Sequence, residues 1–237
     1  MPIRALLLMG DVHQLHDQPF HYAELAGILA GEAGLDLHVT RDLSVLDPVR
    51  LDEVDVVVNW TAFLDVTPTQ VQALLAAVEG GTGFVALHGA NATFWNSPDY
   101  LRMLGSRFVN HDEIKRFSVH IEEPSHPIVA GVSDFEIEDE LFEIGGDVSE
   151  FETFTTAFAE RGWASDVLRL GAGPLQPDVT VLATAENRPL LYTRRFGEGR
   201  VHYNALGHDE RALRNLAYRR LVAQGVKWAA GRSEISS

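Results

Sequence analysis

Short apolar runs alternate with amphipathic helical patterns through the first half of the chain. That alternation restricts it to folds in which a parallel sheet is covered by helices on both faces. Arg4–Met9 reads as a first buried strand. Tyr22, Leu25, Ala26 and Leu29, spaced i, i+3, i+4, i+7, predict a helix ending near Gly31 and Gly34. Leu35–Thr40 and Val54–Trp60 read as the second and third strands. Thr67-Pro68-Thr69-Gln70 predicts a helix start, with Thr67 as N-cap, Pro68 at the first helical position and Gln70 closing a capping box. Val71, Leu74, Leu75 and Val78 form its buried stripe, and Gly80-Gly81 ends it. Gly83–Leu87 has no polar alternation, which places it at the sheet centre with both faces covered. Ser97-Pro98 opens a short helix through Leu104, closed by Gly105.

From Phe117 to about Thr180 the texture changes to short alternating segments, such as Phe117–Ile121 and Phe151–Phe158, between loops rich in Gly, Pro and Asp. This predicts strands and loops inserted at about 112–180 into one domain spanning 1–237, and a lid is one reading of the insertion. Pro189–Phe196 and Arg200–Ala205 flank Gly197-Glu198-Gly199 as a hairpin. A last helix carries Leu213, Leu216, Ala217, Leu221 and Trp228. The expected fold class is α/β, a flavodoxin-like three-layer sandwich around a mostly parallel sheet.

Composition narrows the function. A formal net charge of −15 repels phosphate backbones and anionic lipid, so neither nucleic acid nor a membrane surface is an expected partner. The apolar run Ala5–Met9 is too short for a signal-peptide core, and no stretch approaches the roughly 20 residues of a membrane span. The expected location is the cytoplasm. The chain has no cysteine, which excludes thiol nucleophiles, thiolate metal sites and disulfides together.

Ligands of open α/β sheets bind beyond the carboxyl ends of the strands. Asp11, His13 and His16 follow the first strand, His88-Gly89-Ala90 follows the central one, and Gly207-His208-Asp209 follows the last. Three chain segments thus bring imidazole to one rim. Ala86 to Ala90 has the form of a strand-to-turn elbow, with His88 where a serine or cysteine nucleophile would stand. His208, between a strand and a helix, sits where a base would be presented. His38, His120 and His202 lie in strand-like segments and read as structural, and His126 before Pro127 reads as part of a turn. His13, His16 and His21 read either as a metal clip or as a polar loop, with the loop favoured for His16. Leu141 and Phe142 interrupt the acidic stretch Glu136–Glu143, which turns one carboxylate inward; Glu140 is the candidate.

These residues resemble the trehalose-utilisation, or ThuA-like, family. The likeness runs along nearly the whole chain. It rests on Phe84 to Ala90, on Tyr100-Leu101 with Leu104 to Phe108 and His111, and on Ser125-His126-Pro127-Ile128. It continues through Glu138 to Leu141 and from Gly197-Glu198-Gly199-Arg200-Val201 into Ala205 to Asp209. The resemblance implies a class I glutamine amidotransferase-like fold in which His88 replaces the nucleophilic cysteine and His208 matches the retained catalytic histidine. Glutamine hydrolysis is then out of reach, and a carbohydrate or oxidised sugar is the implied ligand.

Three readings follow. In the first, the protein is an enzyme on trehalose, a related disaccharide or a keto-sugar, an isomerase or hydrolase. His208 and Glu140 are its acid–base pair, His88 orients the substrate, and Asp11, His13, Trp60, His111 and Asp209 contact it. The second adds a divalent metal, zinc being the candidate, on His13, His88, His111 and His208. In the third the scaffold binds a sugar without catalysis. Trp60, Phe94, Trp95 and Trp163 are candidate sugar-stacking residues or core. The sequence leaves a homo-oligomer open.

Overall fold

The runs 4–11, 56–62 and 83–87 carry almost no polar interruption because each strand is covered on both faces. The computed structural model describes residues 2–231. Its strands are β1 (Arg4–Asp11), β2 (Asp36–Thr40), β3 (Val56–Ala62), β4 (Gly83–Leu87), β5 (Arg107–His111), β6 (Lys115–Ile121), β7 (Phe135–Asp139), β8 (Phe142–Gly145), β9 (Thr180–Ala185), β10 (Arg188–Phe196) and β11 (Gly199–Asn204). Its α-helices are α1 (Pro19–Ala26), α2 (Pro48–Asp52), α3 (Pro68–Glu79), α4 (Pro98–Leu104), α5 (Phe151–Arg161), α6 (Glu210–Leu213) and α7 (Leu216–Ala229). Nine strands form one sheet in the order β2-β1-β3-β4-β11-β10-β9-β6-β7, and β5 pairs with β8 in a second, two-stranded sheet. The large sheet is parallel from β2 to β11 and antiparallel from β11 through β10, β9 and β6 to β7. Helix α7 packs on β3, β4 and β11, while α3 and α4 also reach β11.

The capping signals hold atom for atom at α3, where Thr67 Oγ1 accepts from the Gln70 N–H and the Gln70 side chain accepts from the Thr67 N–H. Helix α4 starts on Ser97 and stops at Gly105 in the left-handed conformation, as expected.

Three expectations are corrected. Phe151–Phe158 is helix, because Phe151, Phe154 and Thr155 repeat at the helical period and bury one face of α5. Within the 112–180 segment, β6 and β7 extend the large sheet by pairing β6 with β9. The last helix is broken in two, with Asn215 capping the α7 N–H groups of Ala217 and Tyr218, so Leu216 is exposed. Tyr22 is also exposed; the buried stripe after α1 passes instead through Leu25, Ile28 and Leu29, the last two in a π-helical turn.

His202 on β11 is fully buried; its Nδ1–H donates to the Tyr192 carbonyl at 3.0 Å, and burial pulls its pKa down to about 4. Between the ordinary imidazole value of about 6.5 and this one, the unfolded chain takes up a proton that the folded chain refuses. Stability is therefore expected to fall by about 3 kcal/mol as pH drops through that window. Urea midpoints at pH 7 and 4.5 should diverge more for the native chain than for His202→Phe, in which the other buried imidazoles still titrate. Equal pH dependence in the two would contradict the assignment.

Candidate active site

At the carboxyl ends of the parallel strands, His16, His88, Glu140 and His208 direct one ligand atom each into a common point, all within 4.8 Å of one another. Each comes from a different segment: the loop after β1, the elbow after β4, the turn between β7 and β8, and the loop after β11.

His88 opens the elbow with φ +46°, a left-handed conformation that a side chain adopts only where its surroundings impose it. The Tyr203 hydroxyl donates to its carbonyl at 3.1 Å, and the rings of Trp60 and Phe142 pack against its imidazole. His88 Nδ1–H donates to the Ala205 carbonyl at 2.9 Å, so Nε2 carries the lone pair. Complete burial, with His16 and His208 close by, holds the His88 pKa well below that of free imidazole and the ring is neutral.

His16 is turned inward by Asp11. The buried Asp11 carboxylate accepts the His16 backbone N–H and Nδ1–H, both at 2.9 Å, and the His13 N–H at 2.8 Å. Burial raises the Asp11 pKa, but these hydrogen bonds more than offset it and the group stays ionised. With Nδ1 protonated, His16 Nε2 also presents a lone pair. The Trp60 indole N–H donates to the His16 carbonyl at 2.8 Å and pins the loop from beneath.

His208 is carried by a turn around buried Asp139, which accepts from Gly207 N–H at 2.7 Å, His208 N–H at 3.1 Å and Glu140 N–H at 2.9 Å. Burial pushes the Asp139 carboxyl up to about 7 against the pull of those donors. Gly207 has φ +120°, and a Cβ there would lie 2.5 Å from the Tyr218 hydroxyl, so glycine is required. His21 Nε2–H donates to the His208 carbonyl at 2.9 Å from the other side.

His16 Nε2 lies 3.2 Å from His88 Nε2 and 3.2 Å from His208 Nδ1, and the latter two are 3.4 Å apart. Glu140 Oε2 is 3.3 Å from His208 Nδ1 and 3.7 Å from His88 Nε2, while Oε1 is 3.5 Å from His111 Nδ1. Burial lowers the His208 pKa, but the hydrogen bond and charge of Glu140 outweigh it and leave it raised.

The profile of the ThuA family, described as trehalose utilisation, matches residues 4–229. The chain belongs to the ThuA family. Its fold is that of a ThuA-like protein of Parabacteroides merdae, with TM-score 0.76 and 18% identity over 100% of this chain and 93% of that one. A ThuA-like protein of Bacteroides uniformis superposes with TM-score 0.68 and 17% identity, covering 98% of this chain and 94% of its own. A cytoplasmic protein of Salmonella typhimurium gives TM-score 0.60 and 14% identity over 96% and 99%. No curated protein matches the sequence.

Of the residues expected at the site of this ThuA protein, His88, His208 and Glu140 converge. His16, assigned to the loop, takes the place expected of His13. His13 is exposed and its ring packs on Phe63, outside the cluster, because the whole run from Val12 to Leu15 faces out and the chain turns back in only where Asp11 takes the His16 backbone and ring. His111 stands at the solvent side, touching Glu140 alone of the four, and its Nδ1 also faces the Asp112 carbonyl at 2.9 Å. Asp11 and Trp60 hold His16 in place, the second as a buried indole. Asp209 caps α6 and pairs with Arg211. Asp139 was missed as an individual residue, although the apolar interruption after it marked the segment. No helix among the described residues is long and apolar enough to cross a membrane.

Proposed function

We propose that this ThuA protein is an enzyme of sugar utilisation whose centre is one divalent metal ion, zinc in preference, held by His16, His88, Glu140 and His208. One observation carries the reading: three imidazole nitrogens face one another at 3.2–3.4 Å, two of them with their second nitrogen already donating elsewhere. A single proton bridges two such lone pairs and leaves the third opposed. Ligands roughly 2.0–2.1 Å from a tetrahedral ion stand about 3.3–3.4 Å apart, which satisfies all three. The donor set of imidazole and carboxylate suits zinc, and Asp11 on His16 and the Ala205 carbonyl on His88 are the outer partners that such ligands need.

A bound ion of this kind polarises a carbonyl or activates a water at neutral pH. The chain itself supplies the rest. His111, half-exposed and with Nδ1 3.5 Å from Glu140 Oε1, stands at the solvent side of the centre, where its imidazole would exchange a proton between substrate and water. This suits proton transfer beside a sugar carbonyl, or hydrolysis, and the absence of cysteine excludes the amidotransferase route. The substrate class comes from the family, and the cytoplasmic location is supported by a Salmonella typhimurium protein of similar fold that is described as cytoplasmic.

Elemental analysis of untagged protein is expected to find about one equivalent of zinc or a similar ion, removable by a chelator with loss of turnover on a panel of sugars and keto-sugars. Metal well below one equivalent, with turnover intact, overturns the metal centre. Saturable sugar binding without product overturns the enzyme and leaves a binding protein.

A further inference from the structure

Of the four aromatic residues considered as sugar-stacking candidates, Trp60, Phe94 and Trp95 are core at 2%, 0% and 5% exposure, whereas Trp163 is 47% exposed. Yet Trp163 is firmly held. Its ring packs on Trp95 at 5.1 Å and on Phe158 at 5.5 Å, and meets Phe63 edge-on at 5.3 Å. Phe63 in turn lies 5.2 Å from the His13 ring and 6.4 Å from that of His16, so one aromatic contact separates Trp163 from a residue of the converging cluster. Phe63 sits at φ +59°, a conformation that a bulky side chain rarely takes, and its N–H is fixed on the Ala92 carbonyl at 2.8 Å.

The segment after Trp163 is anchored as well. Fully buried Arg107 donates to the carbonyls of Phe108, Leu168 and Leu170 and lies 3.8 Å over the Phe154 ring. A large indole fixed by three rings and still about half exposed forgoes apolar burial that the surrounding core could have supplied. Val12 and Leu15, on the loop that carries His16, are exposed too, at 60% and 58%, so apolar surface accompanies the polar cluster. That combination fits a sugar, which offers hydroxyls at its edge and a C–H face to an aromatic ring.

We infer that Trp163 is a platform for a second sugar ring: the substrate is a disaccharide or glycoside, with the reacting ring at His16, His88, Glu140 and His208 and its neighbour on the indole. The inference rests on the sugar-directed reading above but not on the metal. It makes Trp163 a specificity-determining residue, one that discriminates by ring number without touching the reacting atoms.

The test uses the full chain as purified, with trehalose, maltose, sucrose and glucose as probes in titration calorimetry, and Trp163→Ala and Trp163→Phe as variants. At least one disaccharide is expected to bind the native chain more tightly than glucose. Trp163→Ala should weaken that disaccharide by about tenfold or more while changing glucose by less than about threefold. Trp163→Phe should recover most of the loss, and metal content should stay at native values in both variants, while the thermal midpoint of Trp163→Ala falls with the loss of its ring contacts without changing the binding of glucose. The inference is overturned by equal losses for disaccharide and glucose, by no loss, by a native chain without preference for any disaccharide, or by no sugar binding at all. Failure of the metal centre reads differently: metal well below one equivalent, with the selective Trp163 effect on disaccharides intact.

Discussion

His16→Gln is expected to lower zinc affinity by more than about 100-fold, since loss of a ligand should exceed the 10–100-fold typical of losing an outer partner. Turnover should vanish with the metal. Asp11→Asn, which leaves His16 in the chain but weakens the group that turns and orients it, should fall in the 10–100-fold range itself. His13→Gln should change neither metal nor rate, because that ring packs on Phe63 outside the cluster. If the native chain is held at about 100 times its dissociation constant for zinc, a variant that no longer binds forfeits about 2.7 kcal/mol of apparent stability through linkage alone. Competition with a chromogenic chelator gives the affinities, and thermal midpoints with and without zinc give the linkage. A His16→Gln protein that keeps native zinc content would dismiss the four-residue centre.

Asp139→Ala is expected to cost about 3–5 kcal/mol. The side chain accepts three backbone N–H groups, those of Glu140, Gly207 and His208, and their burial makes the loss of an acceptor expensive at about 1–3 kcal/mol each, with incomplete additivity. Asp139→Asn keeps one acceptor oxygen for His208 and Glu140 while turning its amide toward the Gly207 N–H, so about 1–2 kcal/mol is expected there. Both variants loosen the turn that carries His208 and should weaken metal binding by about 10–100-fold. Denaturant midpoints at constant slope measure the first effect. An alanine variant within about 1 kcal/mol of native would show that the three donors find other partners and that Asp139 does not hold the turn.

How far the sequence could be read depended on whether the deciding interaction was local. Gly83–Leu87, α3 and α4 announce themselves through an unbroken apolar run or a cap written into neighbouring residues. The phenylalanines and threonines of α5 favour extended structure, and only their spacing, Phe151 to Phe154 to Thr155, betrays the helix. The pairing of β6 with β9 joins residues far apart in the chain and leaves no local mark. The same division runs through the site. His88, His208 and Glu140 were legible because strand ends or an interrupted acidic run placed them. Which imidazole of the loop after β1 turns inward is settled by Asp11, whose carboxylate takes His16 by both backbone and ring. A signal was present: an aspartate at the end of a buried strand needs donors, and the nearby N–H groups could supply them.

The four converging residues are drawn from chain positions 16, 88, 140 and 208, and the strand that leads to the last of them, β11, slots in beside β4 at the middle of the sheet. During synthesis from the amino terminus, the first three of these side chains emerge long before the fourth. Until β11 has been made and inserted, β4 has an open edge and the cradle has a missing wall. If an ion is held there, the full set of four ligands exists only after the most non-local step of the topology, and a loaded centre would mark a closed sheet.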